Sequence, residues 1–308
     1  MTELHIDLEM AAIVDALASA EAPGITRSSV PEMRAMLSAL SPPGGPEMAS
    51  IEDGIIANVK VRTYRPFDRV VGTILLFHGG GWVLGGIDDY DHFARTLAQM
   101  TRCSVISVGY RLAPEHPFPA AVEDAWAVFS ALGGERPIFL LGDSAGGNLS
   151  AVVAQMARDK GGCRPAGQIL IYPSVAGDAD SEAMHAFLPP MMPQADIARY
   201  YDLYIPDLAS RGDVRFAPLL GRLDNLAPAL IVTAGADLFA EEGRRYAKDL
   251  AAAESAVTLH EQNGALHAFL TLWPDTGAAR ETMTAIGDFI SGRITAFPFE
   301  ADLEATNQ

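Results

Sequence analysis

Ile138-Phe139-Leu140-Leu141-Gly142-Asp143-Ser144-Ala145-Gly146-Gly147 decides the reading of this chain. Its four leading apolar residues make the short run expected of a strand buried on both faces. Gly142 to Gly146 then fits Gly-x-Ser-x-Gly, and a helical pattern runs from Ala145 to about Arg158. Strand, sharp turn and helix together give the five-residue pattern chemical meaning. A serine on such a turn has its hydroxyl thrust outward, and small neighbours let strand and helix approach. The helix N-terminus offers free backbone N–H groups to a developing oxyanion. The plainer alternative, an ordinary Gly-rich connection, does not need this placement.

On either side of this stretch the same alternation repeats. Thr73–Phe77, Ser104–Val108, Gln168–Tyr172 and Ala229–Thr233 are further short apolar runs, and Val257–His260 is the last expected strand. Helical patterns cover Phe93–Met100 and Ala120–Leu132. Strands alternating with helices imply an α/β fold, a mostly parallel central sheet with helices on both faces. Val59–Tyr64 alternates and is expected as an antiparallel strand at the sheet edge. Two helices are expected before the sheet, Leu4–Leu17 and one from Pro31 to Leu40, ended by Ser41-Pro42-Pro43-Gly44-Gly45-Pro46. From about Val175 to Leu220 the rhythm stops; an insertion this long between strands is usually functional, for example as a lid.

The serine needs a base, and the base an orienting acid. In this arrangement the chain order is serine, acid, histidine. Of seven histidines, two, His260 and His267, follow the last central run. His260 falls within an expected strand, whereas His267 follows the loop Asn263-Gly264-Ala265-Leu266, so His267 is the candidate base. Asp237 lies just after the strand Ala229–Thr233 and is the candidate acid. Glu241 and Glu242 compete, one helical turn further on, where solvent exposure or capping of a helix start is the simpler role. His78-Gly79-Gly80-Gly81-Trp82 follows another strand. Its glycines permit close backbone approach, and their N–H groups can complete an oxyanion hole begun by Ala145. His78 is read as an anchor of that loop. A phosphate loop is excluded by the missing Gly-Lys-Ser/Thr and Gly-x-Gly-x-x-Gly registers.

Bulk properties narrow the partners. Lys plus Arg is 22 against 39 Asp plus Glu, a net charge of −17, which repels nucleic-acid backbones and anionic lipid. Apolar runs are too short for stable membrane insertion, the N-terminus is acidic where a secretion signal is basic, and a cytoplasmic protein is expected. Two separated cysteines, Cys103 and Cys163, make no disulfide framework. No metal motif is present, and no metal or cofactor is expected.

These segments resemble the hormone-sensitive lipase family of α/β-hydrolases, which includes bacterial carboxylesterases. The matches are His78–Trp82, Tyr110-Arg111-Leu112-Ala113-Pro114-Glu115-His116-Pro117-Phe118-Pro119-Ala120, Gly142–Gly147, Tyr172-Pro173 and Asp237-Leu238-Phe239-Ala240-Glu241-Glu242-Gly243, in the family's order from about Val59 to Ile290. The resemblance implies an α/β-hydrolase fold with a helical cap, made of residues 1–45 and the insertion 175–218, over a catalytic body of residues 46–174 and 219–308. It implies Ser144, Asp237 and His267 as a triad, with Gly79, Gly80 and Ala145 as oxyanion donors. The implied activity is hydrolysis of short- to medium-chain carboxylic esters, acting on a small-molecule substrate, and a homodimer through a sheet edge. Trp82, Met184, Phe187, Met191, Met192 and Tyr200 are the candidates for substrate contact, cap core being the equal alternative for those of the insertion. Amide cleavage on the same triad and a non-catalytic ligand-binding protein of the same fold remain alternatives. Leu238 and Ala268 depart from the Pro and Gly that the family usually carries there.

Overall fold

The computed structural model describes residues 5–20, 24–133, 137–186 and 188–295. Its strands are β1 (Ser50–Ile56), β2 (Val59–Arg65), β3 (Thr73–Phe77), β4 (Ser104–Gly109), β5 (Ile138–Asp143), β6 (Gly167–Ile171), β7 (Ala229–Ala234) and β8 (Val257–Gln262). The helices are α1 (Leu8–Ser19), α2 (Val30–Leu40), α3 (Asp91–Thr101), α4 (Ala120–Ala131), α5 (Ala145–Lys160), α6 (Gln194–Tyr204), α7 (Ala240–Ala252), α8 (Phe269–Leu272) and α9 (Gly277–Ile294). All eight strands form one sheet in the order β1-β2-β4-β3-β5-β6-β7-β8. From β4 onward every neighbouring pair is parallel, and β2 runs antiparallel to both β1 and β4.

Strand alternation divides the apolar residues between two faces. Leu75, Phe77 and Leu140 join one cluster with Val122 and Val128 of α4 and Leu149 and Val152 of α5. Ile74, Leu76, Phe139 and Leu141 join the other, with Phe93 and Leu97 of α3 and Ile286 and Ile290 of α9. That is why the central strands read as continuous apolar runs. It also puts β5, and the turn after it, in the middle of the molecule.

Val59–Tyr64 is antiparallel as expected, but it is not the edge. β1 lies outside it, joined by the two-residue turn Ala57-Asn58, both at positive φ (49° and 67°). Such a turn matches the twist of the paired strands. The sequence conceals it because Ser50-Ile51-Glu52-Asp53-Gly54-Ile55-Ile56 is largely exposed and lacks alternation. At the N-terminus, Asp7 stands in extended backbone ahead of α1, so that helix starts at Leu8; Leu4 lies outside the described residues. α2 begins as its residues dictate, with a reciprocal capping box between Ser29 and Glu32 and Pro31 in the first turn.

The two helical additions are tied to the body. Asn148, on α5, donates from Nδ2 to the Ser174 and Phe216 carbonyls, both at 2.7 Å, and so grips both ends of the insertion. Arg34, on α2, donates to the carbonyls of Val83 at 3.0 Å and Ala113 at 3.1 Å. α1 behaves differently. Met10 is buried beside Ala265 and Leu266, and the Asp7 N–H donates to the Gly264 carbonyl at 3.0 Å. It therefore braces the loop that carries His267, while α2 faces the cleft described below.

Glu242, read from sequence as a residue at solvent or a helix start, is buried. Its Oε2 accepts the N–H groups of Val175 (2.8 Å) and Ala176 (2.9 Å), while Oε1 has no protein partner. Burial pushes its pKa from 4.5 up to about 7, against the opposing effect of those two hydrogen bonds. The folded chain thus holds this proton more tightly than the unfolded chain. The stabilisation is complete below pH 4.5 and fades as pH rises through about 7. Glu242→Gln keeps an acceptor and cannot ionise. It is expected to raise the melting temperature at pH 8 by roughly 2–5 °C relative to wild type, with little effect at pH 4.5. Melting curves at the two pH values check this; equal shifts at both would contradict it.

Candidate active site

Ser144 sits between β5 and α5 with φ 53° and ψ −117°, a conformation sparsely populated for a residue with a side chain. Two glycines make the turn possible. A β-carbon on Gly146 would overlap the Phe77 carbonyl, and one on Gly142 would overlap the backbone of Gly146. The Ser144 N–H donates to the Ile171 carbonyl at 2.8 Å and its own carbonyl accepts from Asn148 N–H at 3.0 Å, so the strained residue is clamped on both sides.

The structure brings Ser144, His267 and Asp237 together from three separate parts of the chain. His267 Nε2 lies 3.1 Å from Ser144 Oγ, and His267 Nδ1 lies 2.6 Å from Asp237 Oδ2. Asp237 Oδ1 accepts the Phe239 N–H at 3.1 Å, so both carboxylate oxygens are occupied. The acid and histidine loops are joined by their backbones, Gly235 N–H to the Gln262 carbonyl (2.8 Å) and Ala236 N–H to the Ala265 carbonyl (3.0 Å). The His267 ring is flanked by Tyr172 at 4.8 Å and Phe239 at 5.6 Å between centroids. A hydroxyl, an imidazole and a carboxylate in series can move a proton from oxygen to the ring as the oxygen attacks an electrophile.

The glycine loop lies beside Ser144, with one correction to the expectation. The Gly79 N–H is not free: it donates to Tyr90 Oη at 2.9 Å. Of the loop's three glycines, Gly80 and Gly81 line the cleft with Ser144. Ala145 opens α5, so its N–H has no intrahelical acceptor. The free donors are therefore placed one residue later than sequence suggested. The Tyr90 contact that displaces them comes from a loop 11 residues away, which no local pattern announces. Gly81 has a second constraint, since a β-carbon there would lie 2.5 Å from the Tyr200 ring.

His78 anchors this loop. Burial lowers its pKa to about 4, its Nδ1–H donates to the Gly79 carbonyl at 2.8 Å, and its ring stacks on Tyr110 at 4.2 Å. Asp143, beside the serine, is fully enclosed. Burial pushes its pKa up to about 6, opposed by the hydrogen bond from Tyr90.

A cleft of about 180 Å³ opens over Ser144 and His267. Its walls are almost wholly apolar. Met191, Met192 and Tyr200 come from the insertion, Trp82 from the glycine loop, and Ala268, Thr271 and Leu272 from beyond the histidine. Sequence reasoning missed the contribution of Met33, Met36, Leu37 and Leu40, although their spacing on α2 shows an apolar face. Met184 does not line the cleft; it is buried in the apolar cluster beneath the insertion. Phe187 lies outside the described residues. Among the described residues, no cluster of three or more metal-binding side chains occurs, and no helix is long and apolar enough to cross a membrane.

A family model for the alpha/beta hydrolase fold matches residues 74–271, more than half the chain. This chain belongs to the α/β-hydrolase family. Within it, the chain falls on the hormone-sensitive-lipase-like branch of esterases. It is 42% identical over 239 residues to the carboxylic ester hydrolase LipN of Mycobacterium tuberculosis, a match covering 71% of this chain but only 63% of that protein. It is 36% identical over 227 residues to the ethyl acetate hydrolase of Pseudomonas putida, covering 69% of this chain and 71% of that one. Among solved α/β-hydrolase structures, the esterase of Pyrobaculum calidifontis superposes with a TM-score of 0.82 at 30% identity, covering 93% of this chain and 98% of that chain.

Gly146→Ala tests the turn. Its added methyl meets backbone rather than a movable side chain, so a loss of about 3 kcal/mol or more is expected. Chemical denaturation measures it; stability within about 1 kcal/mol of wild type would contradict the close approach.

Proposed function

We propose that this protein is a serine carboxylesterase that hydrolyses short- to medium-chain esters through an acyl-enzyme. The observation that carries the reading is the unbroken series from Ser144 Oγ to His267 Nε2 (3.1 Å) and from His267 Nδ1 to Asp237 Oδ2 (2.6 Å), set at the floor of an apolar cleft. The esterase names of its relatives support the same chemistry.

Ser144 Oγ attacks the ester carbonyl carbon as His267 Nε2 takes the hydroxyl proton. Asp237 holds the ring through Nδ1–H and balances the charge that develops on it. The carbonyl oxygen becomes an oxyanion, received by the N–H groups of Gly80, Gly81 and Ala145. Loss of one such donor typically costs ~10²–10³ in rate. The C–O bond to the alcohol then breaks, and His267 returns its proton to the departing oxygen. Water repeats the sequence on the acyl-serine, releasing the carboxylic acid and restoring Ser144.

The cap in this reading comprises residues 1–45 and 175–218, its α2 and α6 sides forming the roof of the cleft. Met33, Met36 and Leu37 offer a surface for an acyl chain, and Asp196, which also lines the cleft, disfavours an anionic one. Turnover of p-nitrophenyl acetate, butyrate, octanoate and palmitate is expected to peak at butyrate or octanoate and to be lowest for palmitate. Ser144→Ala is expected to lower it by at least about 10⁴-fold with the melting curve retained. Undiminished turnover in Ser144→Ala would overturn the reading.

A further inference from the structure

Asp143 is an unusual choice beside a nucleophile. It is fully buried, and one of its oxygens, Oδ1, has no protein partner. A buried, half-satisfied carboxylate is costly and persists where its charge or geometry is used. Its other oxygen shows the use. Asp143 Oδ2 accepts the Tyr90 hydroxyl at 2.9 Å, and Tyr90 Oη in turn accepts the Gly79 N–H at 2.9 Å. The chain of bonds runs from the last residue of β5 to the first glycine of the loop. The space is shaped around it: a β-carbon at Gly79 would lie 2.5 Å from Asp143 Oδ2 and 2.8 Å from Tyr90 Oη.

Three consecutive glycines have more backbone freedom than any other triplet, and donors that must reorganise stabilise an oxyanion poorly. Here the 79–80 segment is held on both sides. His78 Nδ1–H donates to the Gly79 carbonyl at 2.8 Å, and Tyr110 Oη–H donates to the His78 carbonyl at 2.7 Å. Tyr90 holds the Gly79 N–H. A carboxylate behind the Tyr90 hydroxyl polarises it and makes its oxygen the better acceptor for that N–H.

We infer that Asp143 is a positioning residue which, through Tyr90, fixes the Gly79 peptide and so aims the N–H groups of Gly80 and Gly81 at the oxyanion. The inference rests on the serine-esterase reading above. It assigns to Asp143 a second task besides filling the space beside Ser144, and it gives Tyr90, which reaches the loop but not the reacting atoms, a part in turnover.

The test compares wild type with Tyr90→Phe, Asp143→Asn, Asp143→Ala and the Tyr90→Phe/Asp143→Ala pair. It measures kcat and KM on p-nitrophenyl butyrate, and the inhibition constant of an alkyl trifluoromethyl ketone, whose serine adduct carries an oxyanion. Tyr90→Phe is expected to lower kcat by about 10–100-fold, less than the loss of a whole donor, with KM within about twofold. Ketone affinity should fall by the same factor as kcat/KM. Asp143→Ala should match Tyr90→Phe, the pair should be no worse than either single variant, and Asp143→Asn, which keeps an acceptor oxygen, should recover most of the loss. Ketone affinity unchanged in Tyr90→Phe, or losses that multiply in the pair, would overturn the inference. Should Asp143→Ala fail to fold by its melting curve, Tyr90→Phe against Asp143→Asn decides alone. Wild-type turnover with no effect of Tyr90→Phe removes this inference and leaves the esterase reading standing; a wild type that neither turns over esters nor reacts with a fluorophosphonate removes both.

Discussion

The constraint on which the rest depends is the backbone of Ser144. A residue at φ 53° and ψ −117° carries strain of about 1–3 kcal/mol, and it survives because its surroundings allow nothing else. β5 lies between β3 and β6 with every residue buried. α5 is pressed so closely to the sheet that Gly146 meets the carbonyl of Phe77, at the end of the neighbouring strand β3. The Ile171 carbonyl then fixes the Ser144 N–H from the next strand. The same close approach brings the start of α5, with its unpaired Ala145 N–H, to the side of the hydroxyl. Strain, close packing and free donors are thus one feature, and a parallel sheet covered on both faces is the support it needs.

Three of the carboxylates buried among the described residues, Asp237, Asp143 and Glu242, are held differently. Asp237 has both oxygens engaged, by His267 and by the Phe239 N–H. Asp143 and Glu242 each have one oxygen engaged and one bare. The difference follows from what each holds. Asp237 meets the His267 ring and the Phe239 N–H, so it is fixed at two points. Glu242 and Asp143 hold backbone, one directly at the start of the insertion and one through Tyr90 at the glycine loop. A single oxygen suffices for that.

Much of this was legible in the sequence, for identifiable reasons. Strands β3 to β7 stand out because burial on both faces makes them continuous apolar runs. Ser144, Asp237 and His267 were found from their position relative to those strands, and the structure brings the three within hydrogen-bonding reach. What escaped depended on contacts between segments distant in sequence. β1 is exposed and joined through Ala57-Asn58, which lacks the glycine that usually marks such a turn. The identity of the free loop donors turned on Tyr90. Glu242 looked like an exposed helical acid, and its burial became evident once the insertion lay across it. Met184 and Met191 are chemically alike; which of them faces the cleft depends on how the insertion folds, and composition does not encode that.

The cleft itself shows how the fold separates reaction from selection. Ser144, Asp237 and His267 follow the C-terminal ends of β5, β7 and β8, while the apolar roof comes from α2 and α6. These two helices are far apart in sequence, and Arg199 Nη2 of α6 donates to the carbonyl of Ser28, just ahead of α2, at 2.9 Å. Neither helix supplies a member of the Ser144–His267–Asp237 series. The roof is rich in Met and Leu, and methionine in particular fills irregular space and tolerates substitution. Residues such as Met36 or Met192 can therefore change without disturbing the clamp on Ser144. The floor cannot change in the same way, because Gly142, Gly146 and Gly81 have no room for a β-carbon. Freedom in the roof and rigidity in the floor are what a scaffold needs to keep one chemistry while adjusting the acyl groups it accepts.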